Sequence, residues 1–179
     1  MKKISQLIRE IIPVIIGILI ALVINNWNEE RRDKKYLNKV YLSVKAELEE
    51  SSKDIEEALP KQQILIDSLK KYMNDETTSL SEIINKAKGI AGPNIKMHTW
   101  SAITNSKIEL IEFEKLSALS EIEESKKYLE FKQQKILDFV IENAKETNQE
   151  KKEIFMLLSE DIISSEKYLQ FEIKEFLKQ

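Results

Sequence analysis

The residues able to do chemistry are few, and their spacing is wrong for it. The chain has no cysteine and a single histidine, His98, in "KMHTW". That removes disulfides, thiol nucleophiles and cysteine-based metal sites. A di-metal carboxylate centre in a helical bundle needs inward glutamates and Glu-x-x-His pairs. No glutamate stands three residues before His98, and no second histidine exists to complete the pattern. Nor does His98 have a nucleophile at motif spacing, so it reads as a loop or helix-start residue. Glutamates cluster at Glu47, Glu49 and Glu50, at Glu121, Glu123 and Glu124, and at Glu172 and Glu175. On amphipathic helices such groups are solvated faces paired with lysines three or four residues away. Phosphate-binding glycine loops, dinucleotide fingerprints and zinc spacings are missing. The expectation is a protein that is not an enzyme and carries no metal or cofactor. Trp100 is the one local hint of recognition. It follows the loop "GIAGPN", residues 89–94, where a bundle can admit a ligand or partner; equally, an amphipathic aromatic closes a bundle end.

The elements that must position these residues are helices. Three glycines and three prolines punctuate 179 residues, and a third of the chain is charged. So little turn chemistry, with abundant Leu, Ile, Glu, Lys and Ala, predicts a few long helices and no sheet. From Glu29 the chain reads as a helix. Leu37, Tyr41, Val44, Leu48, Ser51, Ile55 and Ala58 follow alternating steps of four and three, which suits an intramolecular bundle face or a coiled coil. Pro60 marks a kink or a helix–helix corner, after which Leu65, Leu69 and Tyr72 resume the phase. "NDETTS", residues 74–79, is a polar break, and Ser79 with Glu82 forms a capping box for a short helix ending near Gly89. Past the loop, Met97, Trp100 and Ile103 share a face of a short helix from about Thr99.

Two long helices follow. One is expected over residues 112–143, with Leu116, Leu119, Leu129, Ile136, Phe139 and Val140 apolar. "KETNQE" after it is polar but lacks glycine and proline, so the helix can continue through it. The other is expected over residues 149–177. Phe155, Leu158, Ile162, Leu169 and Phe176 are in step, and Ile154, Leu157, Tyr168, Phe171 and Ile173 widen the stripe. The fold class is therefore all-α: one N-terminal transmembrane helix, then an antiparallel bundle of long helices.

The transmembrane assignment rests on residues 11–28. Ile11 to Ile24, "IIPVIIGILIALVI", holds no polar side chain. At ~1.5 Å per residue it covers roughly 21 Å, and the uncharged run to Trp27 roughly 25 Å, against a ~30 Å hydrocarbon core. Lys2, Lys3 and Arg9 flank it on one side, Arg31, Arg32, Lys34 and Lys35 on the other. No A-x-A pattern follows the apolar core, so it reads as an uncleaved signal anchor. Residues 1–10 form an amphipathic basic leader able to lie in the interface. Pro13 is expected to open the spanning helix rather than kink a longer one. Asn25, Asn26 and Trp27 mark the membrane interface. Pro13, Gly17 and Ala21, spaced by four, share a face on which another helix can pack closely. The three segments are thus a leader (1–10), an anchor (11–28) and an extramembrane bundle (29–179).

Residues 16–29, "IGILIALVINNWNE", closely resemble the signature I-G-I-L-I-A-L-x-I-N-N-W-N-E of a family of uncharacterised single-span membrane proteins from Bacteroidota. Val23 stands where Gln is frequent. "TWSAITNSKIELI", residues 99–111, resembles a second segment of that family, departing from it at Lys107, which replaces the glycine of a Ser-Gly pair. The resemblance implies a bacterial envelope origin and a single span, and it carries no activity over.

A formal charge of −3 with signs interspersed excludes the basic stripe that nucleic acid requires. The expected partners are the lipid bilayer and either further copies of the chain or other envelope proteins. The expected site is the cell inner membrane, crossed once. A short basic leader before an uncleaved anchor favours a periplasmic bundle. The leading expectation for function is a membrane-anchored helical interaction or scaffold protein, an oligomer or a subunit of an envelope complex. A sensor-type bundle binding a small ligand and a membrane-perturbing effector are the alternatives.

Overall fold

Buried residues repeat in steps of four and three along each long helix, and that register builds the fold. The computed structural model describes residues 2–178, the side chains of residues 2–10 excepted; the amphipathic face expected of the leader therefore lies outside the described residues. All regular structure among them is helical: α1 (Lys2–Lys71), α2 (Leu80–Lys86), α3 (His98–Thr104), α4 (Phe113–Asn143) and α5 (Gln149–Leu177), with one turn of 3-10 helix at Ile108–Leu110. The chain divides into two compact units, Met1–Leu42 and Ser43–Gln179.

α1 begins at Lys2 and passes through both Pro13 and Pro60. Pro13 therefore does not open the helix as expected. A proline in a helix interior forfeits one hydrogen bond, and a long helix with strong neighbours on either side tolerates the loss. Pro60 is likewise no corner. It is exposed, so its ring displaces no core neighbour.

In the second unit the buried seam of α1 is Val44, Leu48, Ser51, Ile55, Ala58, Gln62, Leu65 and Leu69. That of α5 is Lys152, Phe155, Ser159, Ile162, Glu166, Leu169, Ile173 and Phe176. Both are unbroken heptad registers with polar residues in apolar positions. α4 contributes Leu119, Ile122, Leu129 and Ile136. α5 runs antiparallel to α1: Gln170 reaches Ser52, Gln62 pairs with Glu166, Lys70 with Glu160, and Lys152 reaches Tyr72. It is also antiparallel to α4, since Lys132 meets Asp161 while the rings of Phe139 and Phe155 stack 6.3 Å apart.

Residues 80–104 form the remaining leg. α2 starts it, with Ser79 and Glu82 in a capping box, and its first amides donate to the α4–α5 connection: Leu80 N to Glu146 O and Ser81 N to Ala144 O, both 2.9 Å. The leg then runs extended before ending in α3. Extended backbone inside a bundle needs hydrogen-bond partners, and polar members of the α1 seam supply them. Gln62 Nε2 donates to Ala91 O (3.1 Å) and Lys96 N to Ser51 Oγ (2.8 Å), while Glu47, beside the seam, accepts from Thr99 Oγ1 (2.8 Å) at the start of α3. This is why Ser51, a poor residue for a coiled-coil seam, stands there. The result is an up-down-up-down bundle whose second leg is helical only at its ends.

Candidate functional site

The apolar segment of α1 is uncovered. Every residue from 11 to 32 is exposed, and the most apolar stretch, with a mean hydropathy of 2.0, has none of its residues buried. A helix long and apolar enough to cross a membrane thus lies near the N-terminus. Pro13, Gly17 and Ala21 fall within it, and a Cβ built on Gly17 would meet nothing within 4 Å. No contact among the described residues demands glycine there. Asn25, Asn26 and Trp27 are exposed as well, and the guanidinium of Arg31 lies 5.9 Å from the Trp27 ring centroid, a cation–π contact one turn along the helix.

In the second unit, α4 and α5 leave a groove between them that sequence reasoning did not single out. Tyr128, Phe131 and Tyr168 line it with Glu121, Glu124 and Glu172. The three aromatics are 57–60% exposed, although an apolar ring on a bundle surface is ordinarily turned inward. Lys132 Nζ sits 4.5 Å from the Tyr128 ring centroid and is held there by Asp161 Oδ2 at 2.7 Å and Ser165 Oγ at 2.9 Å. The Glu172 carboxylate raises the pKa of the Tyr168 phenol. Tyr168, Phe171 and Leu157, read from sequence as widening the inward stripe of α5, therefore face out. Ile173 of the same set is fully buried, and Ser159 and Glu166 take seam positions beside Phe155, Ile162 and Leu169 while Tyr168, Phe171 and Leu157 flank the seam.

Trp100 is 1% exposed. Its indole Nε1 donates to Glu123 Oε2 at 2.9 Å, and Glu123 also pairs with Lys127 at 2.9 Å. Lys127 first, then the indole, hold the Glu123 carboxyl below the usual range. Trp100 thus packs α3 onto α4, with its polar atom occupied by the bundle itself. His98 is exposed at the start of α3.

Beneath the 89–94 loop the bundle keeps a cavity of about 220 Å³, partly open to solvent, lined by Gln62, Leu65, Ile136, Ile162 and the loop itself. Gln62 is 5% exposed and Glu166 fully buried. Gln62 Nε2 donates to Glu166 Oε1 at 2.9 Å and also to Ala91 O. Gln62 Oε1 and Glu166 Oε2 are both buried without a partner. Burial pushes the Glu166 carboxyl up to about 7, against the opposing pull of the Gln62 hydrogen bond. The 4–3 arithmetic from Ala58 to Leu65 lands on Gln62, and that from Ile162 to Leu169 lands on Glu166, so the register itself was the available signal.

Among the described residues no three His, Asp or Glu side chains converge as metal ligands. No family model, curated protein or solved structure matches the chain.

Proposed function

We propose that this chain is a membrane-anchored helical interaction protein, crossing the inner membrane once and holding its bundle on the periplasmic side, where it associates with further copies or with other envelope proteins. The uncovered apolar stretch of α1 supports the anchor, and the resemblance of residues 16–29 to the Bacteroidota segment supports the envelope setting. The observation that carries association is the α4–α5 groove. Three exposed aromatics in one concave surface are the composition of an interface core, here rimmed by carboxylates and lysines. Gly17 and Ala21 offer a second, intramembrane contact of close backbone approach.

Native mass spectrometry of the intact protein in lipid nanodiscs tests this reading. An oligomer or a stoichiometric co-purifying protein is expected. Replacing Tyr128, Phe131 and Tyr168 together by serine should lower its yield without lowering the unfolding temperature, since exposed rings contribute little to the fold. A monomer at every concentration, in detergent and lipid alike and with nothing co-purifying, would remove the proposal.

A further inference from the structure

Buried between α1 and α5, Gln62 and Glu166 leave two oxygens that one proton satisfies together. Ala91 O can only accept, so the NH₂ group of Gln62 must face it. The second hydrogen of that group lies on Glu166 Oε1 at 2.9 Å. Gln62 Oε1 and Glu166 Oε2 remain, both buried and both without a partner. A carboxamide oxygen and an ionised carboxylate oxygen only accept, so neither can serve the other. Native cores rarely leave such atoms unmet. A proton on Glu166 Oε2 removes both defects at once. The acid then donates to Gln62 Oε1 while Gln62 Nε2 donates to Glu166 Oε1, and the two groups close a ring.

The surroundings favour the neutral acid. Glu166 is fully buried in the seam between Ile162 and Leu169, where an ionised carboxylate needs a paired charge or several donors. Among the described residues no cation pairs with it. From α1 it meets Gln62, which is neutral; Lys61 is exposed, and Glu56 is paired with Lys174. Residues 89–95 of the second leg carry no titratable side chain. On α4, Lys132 is held by Asp161 and Ser165, and on α5 itself Lys167 is exposed. Burial accordingly raises the Glu166 carboxyl to about 7, against the opposing pull of Gln62.

Gln62 also carries the loop. Gly89 N donates to Ile84 O at 2.9 Å and Lys96 N to Ser51 Oγ at 2.8 Å. Between these two anchors, the bond from Gln62 to Ala91 O ties the extended chain to α1. We propose that Glu166 is held as the neutral acid, its Oε2–H donating to Gln62 Oε1, and that this acid–amide pair is a pH-sensitive latch on the 89–94 loop. Loss of the proton to solvent sets Gln62 Oε1 against a negatively charged oxygen. The carboxamide swings to relieve it, and water from the partly open space beneath the loop, which Gln62 lines, hydrates the carboxylate. Ala91 O is released and the loop loosens. The latch stands apart from the association argued above, since neither Gln62 nor Glu166 lines the α4–α5 groove.

Backbone relaxation and side-chain carboxyl NMR of the intact protein in detergent micelles, between pH 5.5 and pH 8.5, test the latch. The Glu166 carboxyl should be neutral at the acid end and titrate near 7. Over the same step the order parameters of Ala91, Gly92 and Asn94 should fall from about 0.85 to below about 0.6. That of Lys96, held by Ser51, should stay high. Glu166→Gln supplies an amide that makes the same ring without a titrating proton, so its loop should stay rigid at both ends of the range. Order parameters report native molecules, so a loss of global stability alone does not imitate the result. Should Glu166→Gln fail to fold, the wild type still decides, because loosening of the loop must share its midpoint with the Glu166 carboxyl. A carboxylate ionised throughout, a loop equally rigid across the range, a displaced midpoint, or loosening that persists in Glu166→Gln would each overturn the proposal.

Discussion

Glu166 is the residue whose placement has the clearest thermodynamic consequence. Its carboxyl is fully buried, accepts one hydrogen bond from Gln62, and titrates near 7 in the folded chain against an ordinary 4.5. Between those values the native state holds a proton that the unfolded chain has released. Stability is therefore highest below the ordinary value and falls as pH rises through the native one, by about 3 kcal/mol in all. Glu166→Gln removes the titration and keeps an acceptor for Gln62. Urea unfolding of the intact protein between pH 5 and pH 8 should show the wild type weakening across the range and the variant weakening much less. A variant that follows the wild-type pH profile would show that Glu166 is not the group responsible. At this scale the sequence is only half readable. The register marks Gln62 and Glu166 as seam positions, yet polarity argues that a seam has ended there. What decides is the extended second leg, which needs a partner for Ala91 O, and nothing local to Gln62 announces it. Trp100 shows the converse. Beside a glycine–proline loop it could admit a ligand or close a bundle end, and its bond to Glu123, 23 residues along the chain and 2.9 Å away in space, ties it to α4 inside the core.

Element boundaries were the most legible feature. The capping box at Ser79 and Glu82, the short helix bearing Trp100 and Ile103, and the two long C-terminal helices stand within a residue or two of where caps and periodicity put them. Prolines misled, because a long α1 carries both Pro13 and Pro60 internally and only breaks at the polar turn after Lys71. The end of α1 is held by a residue from α5. Lys152 is fully buried, and its ammonium donates to Tyr72 O at 3.0 Å and to Asp75 O. It thus gives Asp75 O a donor, and gives Tyr72 O, which already accepts from Asp75 N at 3.2 Å, a second one. Lys152→Met keeps the chain length and removes the donor. Asp75 O then loses its ammonium donor while Tyr72 O keeps the Asp75 amide, and urea unfolding should report a loss of about 1–2 kcal/mol. An unchanged midpoint would mean that water replaces the ammonium and that the clasp is not needed. The same turn is shaped by Asp75, whose carboxylate accepts from the hydroxyls and amides of Thr77 and Thr78 and is thereby held well below the usual range. A polar break in the sequence is here a hydrogen-bonded stop.

On the scale of the whole molecule, the fold leaves the stretch from Ile11 to Ile24 and the aromatic groove of α4 and α5 uncovered among the described residues. The first was legible as a run of fourteen residues without a polar side chain. The second was not: of its rings only Tyr168 was read, as part of the inward stripe of α5, while Tyr128 and Phe131 lie off the apolar side read for α4. A bilayer and a protein partner are the two media that would cover such surfaces. Which partners can reach the groove depends on where the bundle resides. Because the chain has no native cysteine, one engineered thiol reports on it alone. Ser79 is spoken for as a helix cap, whereas Glu76 is exposed in the preceding turn. The direct measurement is labelling of a Glu76→Cys protein by a membrane-impermeant maleimide in intact spheroplasts, followed by carbonate extraction of the membranes. Labelling before lysis is expected, with a protein that stays in the membrane pellet. Protection until lysis would place the bundle in the cytoplasm, and release by carbonate would contradict the anchor itself.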